Sequence, residues 1–221
     1  MHTNSIHRVA LRLLFSALVA SVVVAPVPAH ADAYVDFNRA VATDDVRTVS
    51  KMLERGMDPN TVNENGEPAL LTAARDGTPA MVQTLLKARA SVNVRNGVGD
   101  TPIMLAALAG NLPVVKLLRE AGAEINRPGW TPLHYAAISG HDAVIEYLLS
   151  TGADLALTAP NGATPLMLAV LENKGATVKL LLGYGFDVNA RNDKGESALT
   201  WARRREFREI EQLLRKAGAK D

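Results

Sequence analysis

A 33-residue spacing recurs along most of this 221-residue chain, and no other feature limits its possible folds so tightly. Three segments align directly: GDTPIMLAALAG from Gly99, GWTPLHYAAISG from Gly129 and GATPLMLAVLEN from Gly162. Two weaker copies, GEPALLTAARDG from Gly66 and GESALTWARRRE from Gly195, fall into the same frame. The residue after Gly-x marks each copy as Pro68, Thr101, Thr131, Thr164 and Ser197, with steps of 33, 30, 33 and 33. An N-terminal copy places Val35 at the marker and Ala40 in register with Ala73, Ala106, Ala136, Ala169 and Ala202. Self-similarity at a fixed period of this size is the signature of a solenoid, in which each unit buries its apolar face against its neighbours.

The unit has a physical reading at each position. Thr101-Pro102, Thr131-Pro132 and Thr164-Pro165 offer an N-cap hydroxyl and a fixed φ at the first helical residue, so each opens a helix. The pairs Ala73-Ala74, Ala106-Ala107 and Ala136-Ala137 let that helix approach its equivalent in the next copy. Gly77, Gly110 and Gly140 are expected to end it in the left-handed conformation that glycine adopts without penalty. A second helix follows, with aliphatic faces such as Val114, Val115, Leu117 and Leu118, then Val144, Ile145, Leu148 and Leu149. Gly122, Gly152 and Gly185 close it, and the tails RASVN, GAEIN, GADLA and GFDVN lead to the next copy. Aromatic residues are 5% of the chain while Ala and Leu are abundant, which also favours helices packed through small and aliphatic side chains.

Thr131-Pro132-Leu133-His134-Tyr135-Ala136-Ala137 resembles the signature of the ankyrin repeat, and with five internal copies in register the chain resembles an exported, bacterial ankyrin-repeat protein. The resemblance implies an all-α solenoid of stacked antiparallel helix pairs with short β-hairpin fingers, about six repeats including caps. It divides the chain into a capping repeat at 32–60, four internal repeats at 61–191 and a capping repeat at 192–221. The first copy lacks a finger, and the last carries Arg203, Arg204, Arg205 and Glu206, as expected of ends that no neighbour covers. Arg89 stands where glycine closes the other second helices. The 30-residue step shortens Asn126-Arg127-Pro128-Gly129, so the finger between the third and fourth copies is truncated.

Residues 1–31 read as a cleaved export signal: His7, Arg8 and Arg12, an apolar run from Leu13 to Ala25, then Ala29-His30-Ala31 as the small-x-small site. The apolar run is shorter than the roughly 20 residues that span a bilayer, so no membrane span is expected after cleavage. The expected location is the periplasm, or the exterior if secretion continues. The chain holds 24 basic and 23 acidic side chains, and Arg8 and Arg12 leave with the signal, so the mature protein has a formal charge of about −1. That lack of basic excess speaks against nucleic acid as a partner.

Enzyme chemistry finds no footing in the motifs. There is no cysteine for a disulfide, a thiolate nucleophile or a metal. His134 and His141 lack a His-Glu-x-x-His pattern and occupy positions where ankyrin repeats carry structural histidines, so neither a metal nor a catalytic role is assigned. The glycines recur at turns and do not cluster as a phosphate cradle, and no cofactor is expected. Glu64, Glu67, Asp100, Asp193 and Glu196 read as solvated finger-tip acids.

By resemblance, partners meet the fingers and the exposed end of the first helix. Leu108, Ile138 and Leu171 are apolar there in three successive copies, with Val98 and Trp130 on adjacent fingers and Arg75, Asp76 and Glu172 as charged flanks. An apolar strip with a polar rim is the anatomy of a protein-docking site. The sequence therefore points to a non-catalytic, monomeric adaptor or inhibitor that binds one or more proteins. A toxin-immunity protein, a self-associating envelope protein and a secreted host-directed effector are the alternatives.

Overall fold

The computed structural model describes residues 29–221, with side chains described from Asp32 onward. Of the export signal read at residues 1–31, everything before residue 29 lies outside the described residues. Twelve helices follow in six pairs: α1 (Ala29–Ala42) with α2 (Val46–Glu54), α3 (Ala69–Asp76) with α4 (Pro79–Lys87), and α5 (Pro102–Leu108) with α6 (Leu112–Glu120). The last three pairs are α7 (Pro132–Ser139) with α8 (Asp142–Ser150), α9 (Pro165–Leu171) with α10 (Gly175–Gly183), and α11 (Ala198–Arg204) with α12 (Arg208–Lys216). Each pair is one copy of the repeat. Among the described residues no helix is long and apolar enough to cross a membrane.

The pairs stack in two rows. Helices α3, α5, α7, α9 and α11 pack in succession, and α2, α4, α6, α8, α10 and α12 form the second row. Ala73, Ala74, Ala106, Ala107, Ala136, Ala137 and Ala169 are fully buried where the inner helices meet, the close approach that small side chains permit. The second row fills the remaining core with Val82, Leu85, Val114, Val115, Leu118, Val144, Ile145, Leu148, Val178 and Leu181. The fingers are tight turns: Asn63, Asn96, Ala159 and Asn192 each exchange backbone hydrogen bonds across a loop, and isolated antiparallel bridges join Val62 to Pro68 and Arg191 to Ser197. The loop at 126–130 makes no such backbone exchange, in keeping with a finger cut short before the fourth copy.

Three local expectations need correction or completion. Gly77 is not left-handed but extended, with φ −92°, because Pro79 lacks the N–H that Leu112, Gly175 and Arg208 donate to the residue two before them. Pro79 also pushes Thr78 into the extended region, where the Asp44 carboxylate of the first copy accepts from its N–H and hydroxyl at 3.0 and 3.2 Å. The Thr101 hydroxyl finds no hydrogen-bond partner, whereas Thr131 and Thr164 cap their helices as expected, and the Ser197 hydroxyl caps the last inner helix as well. Arg89 keeps the left-handed turn at φ +68°, at a cost on the order of 1 kcal/mol for a residue with a Cβ. It preserves the same closing hydrogen bonds, from its own N–H to Leu86 and from Ala90 to Leu85, that Gly122 and Ala123 make one copy later.

Tails of successive copies are joined by an asparagine column. Asn60 accepts from the Ser91 N–H, Asn93 from Glu124, Asn126 from Asp154 and Asn189 from Lys220, all at 2.8–2.9 Å. Asn93, Asn126 and Asn189 also donate to the carbonyls of Gly122, Gly152 and Gly218. In the fourth copy Ala156 occupies this position and the column is interrupted.

Candidate protein-docking face

Three positions of each copy lie together on the finger side of the inner helices. They are the residue before the marker, the one four after it and the one seven after it. In the second copy these are Glu67, Thr72 and Arg75. The Arg75 guanidinium donates to both Glu67 oxygens, at 2.8 and 3.0 Å, and the Thr72 hydroxyl also donates to Glu67. In the sixth copy the set is Glu196, Trp201 and Arg204. The Trp201 indole and the Arg204 guanidinium donate to opposite Glu196 oxygens, at 2.7 and 2.6 Å. These donors, Trp201 first, then Arg204 and Asn192, hold the Glu196 carboxyl down at about 2. Arg75 chiefly holds Glu67 below its ordinary range.

Hydrocarbon takes over in the middle. The same three positions are Asp100, Leu105 and Leu108 in the third copy, Trp130, Tyr135 and Ile138 in the fourth, and Ala163, Leu168 and Leu171 in the fifth. Trp130 leans on Tyr135, with ring centroids 5.6 Å apart, and meets His134 edge-on at 5.8 Å. The Tyr135 hydroxyl reaches back one copy to donate to Asp100. Burial and that hydrogen bond both push the Tyr135 pKa well up, so the hydroxyl keeps its proton.

The structure divides the residues expected to form the apolar strip. Val98 (84% exposed), Leu108 (38%) and Trp130 (37%) face solvent. Ile138 and Leu171 are half-buried and pack against the core, so of the five strip residues three are exposed and two are partly covered. Arg75, Asp76 and Glu172 are exposed, but Arg75 is occupied by Glu67 and Asp76. Beside Leu171 a hollow of about 260 Å³ is lined by Glu196, Trp201, Arg204 and Arg205.

Sequence reasoning missed two groups. Glu67, Asp100 and Glu196 are half-buried anchors and not solvated tips, because each accepts from neighbouring donors; the recurrence of an acid between Gly and the marker was the available signal. Tyr135 and Trp201 escaped because the position four after the marker holds core leucines, Leu105 and Leu168, in two other copies.

His134 and His141 have structural duties. Thr131 N–H donates to His134 Nδ1 at 3.2 Å while the His134 N–H donates to the Thr131 hydroxyl, a reciprocal cap. Nδ1 is therefore an acceptor, and the proton sits on Nε2, facing the Ala163 backbone of the next copy without a well-aligned partner. His141 Nε2 lies 3.0 Å from the Leu108 carbonyl one copy earlier. No cluster of three potential metal-ligating side chains occurs among the described residues.

The family model for ankyrin repeats (3 copies) matches residues 37–128, 90–159 and 153–221. An ankyrin repeat domain from Acinetobacter baumannii superposes with a TM-score of 0.72 at 31% identity, covering 84% of this chain and 98% of that one. The human ASB11 ankyrin repeat domain gives 0.77 at 28% identity, covering 83% and 84%. Among curated proteins, the mouse ankyrin repeat and SAM domain-containing protein 6 is 38% identical over 111 residues, 48% of this chain. The Schizosaccharomyces pombe glycerophosphocholine phosphodiesterase gde1 is 35% identical over 86 residues, 37% of this chain. The chain spans only 13% and 8% of the lengths of those two relatives. Their common element is a protein-interaction fold that is generally non-catalytic, and this chain belongs to the ankyrin-repeat family.

Proposed function

We propose that this protein is a non-catalytic adaptor or inhibitor that docks one protein partner on the finger side of its inner helices, and that it works in the periplasm or beyond. The carrying observation is the exposed apolar centre of Val98, Leu108 and Trp130 beside the truncated finger, set between outer copies whose charges are already paired internally. Trp in a partly covered aromatic cluster is a favoured anchor, and the loss of finger residues at 126–130 opens the approach to it. The reading of residues 1–31 as an export signal supports the location.

The test is affinity capture from an envelope fraction of the producing cell. A Leu108→Asp, Trp130→Ala double variant should keep its helical circular dichroism and lose the captured protein. Retained capture sinks this site. Ile138 is a poor substitution target because it packs into the core. Cell fractionation checks the location, and a cytoplasmic protein would refute it.

A further inference from the structure

We propose that Asp100, Tyr135 and Trp130 form a seat for a basic side chain, Lys or Arg, presented by the partner, an inference that rests on the docking reading above. Where the second and sixth copies place an acid before the marker, an arginine eight residues later neutralises it: Glu67 with Arg75, and Glu196 with Arg204. The third copy keeps the acid, Asp100, and replaces the arginine with Leu108.

Asp100 is thus left with neutral donors. Tyr135 Oη donates to Oδ1, and Asn96 Nδ2 donates to Oδ2 at 3.2 Å. These bonds fix the orientation of the carboxylate without cancelling its charge, and among the described residues no Lys or Arg forms an ion pair with it. The aromatic Trp130 stands against Tyr135, so a cation held by Asp100 also meets ring faces, a combination that favours guanidinium and ammonium groups. Leu108 and Val98, both exposed, offer hydrocarbon to the aliphatic stem of such a side chain. The partner's cation supplies in trans what Arg75 and Arg204 supply in cis.

The probe is a random linear peptide library displayed on phage and panned against the immobilised protein. Selected peptides should combine Lys or Arg with apolar residues. Their affinity should fall about tenfold or more in Asp100→Asn, which keeps the shape and the acceptor for Tyr135 while removing the charge. Leu108→Arg should weaken them as strongly, because the third copy then pairs its own acid as the second and sixth do. Circular dichroism establishes that both variants are folded. Selected peptides without basic residues, or equal binding to Asp100→Asn, overturn the cationic seat while leaving the docking face standing. If no peptide is selected whose binding Trp130→Ala abolishes, both readings fall.

Discussion

The sixth copy and the third use one arrangement for opposite ends. In the sixth, Glu196, Trp201 and Arg204 satisfy one another's polar groups within the copy. In the third and fourth, Asp100 borrows its donor from the next copy, and the arginine positions hold Leu108 and Ile138. At these three positions the second and sixth copies pair their own acids, while the third depends on its neighbour and leaves Leu108 exposed. A repeat can therefore be specialised at three positions without altering the helices that carry them.

This contrast should appear in how each region responds to perturbation, first of all through pH. His134 is the one titratable residue three positions after a marker; the other copies have Asn38, Leu71, Met104, Met167 and Thr200 there. Burial pushes its pKa down to about 4 from an ordinary 6.5. The unfolded chain then binds more protons than the folded one between these values. Stability from the neutral imidazole is complete above pH 6.5, declines as pH falls towards 4, and changes no further below it. The loss is on the order of 3 kcal/mol. Urea titrations at pH 7 and pH 4 should show it in the wild type, with a much smaller decrease in His134→Gln; equal losses would dissociate His134 from the effect.

A second comparison sets two left-handed glycines against each other. Gly66, at φ +73° in the second copy's finger, has open space around a would-be Cβ, whereas at Gly110, φ +71°, that atom would lie 2.5 Å from the His141 ring. Gly66→Ala should cost on the order of 1 kcal/mol from backbone strain alone. Gly110→Ala adds the displacement of His141 and its bond to Leu108, for a total of roughly 2–3 kcal/mol by chemical denaturation. Equal costs would mean that the middle copies are no more tightly coupled than the fingers.

Smallest is the expected effect of removing an outer ion pair. Arg75→Met should change stability by about 1 kcal/mol or less, and the change should shrink in high salt, because the Arg75 side chain is 40% exposed and Thr72 still donates to the partly covered Glu67. A larger, salt-insensitive loss would show that the second copy is not the self-contained surface described.

The helices and their order were legible because repeat period, caps and small-residue pairs all point the same way. The site was legible only in part. Exposure at Leu108 and burial at Ile138 cannot be separated from sequence, since both are aliphatic residues at the same repeat position and differ in what the neighbouring copy lays over them. The acids were misjudged for a related reason: Asp100 is anchored by Tyr135, 35 residues away, and no local pattern announces that bond. The asparagines of the column recur at Asn60, Asn93, Asn126 and Asn189, but their bonds run between copies and were not read from that pattern.

That column acts as a set of spacers, each amide setting the distance and tilt between consecutive tails through directional bonds. At Ala156 the spacer is missing, and the fourth and fifth tails are registered by packing alone on that edge. One joint in the array therefore lacks a directional tie on its tail edge, immediately after the copy that carries Trp130. Across that joint the fourth and fifth copies are tied instead through their second helices, where the Thr177 hydroxyl donates to Asp142 at 2.6 Å.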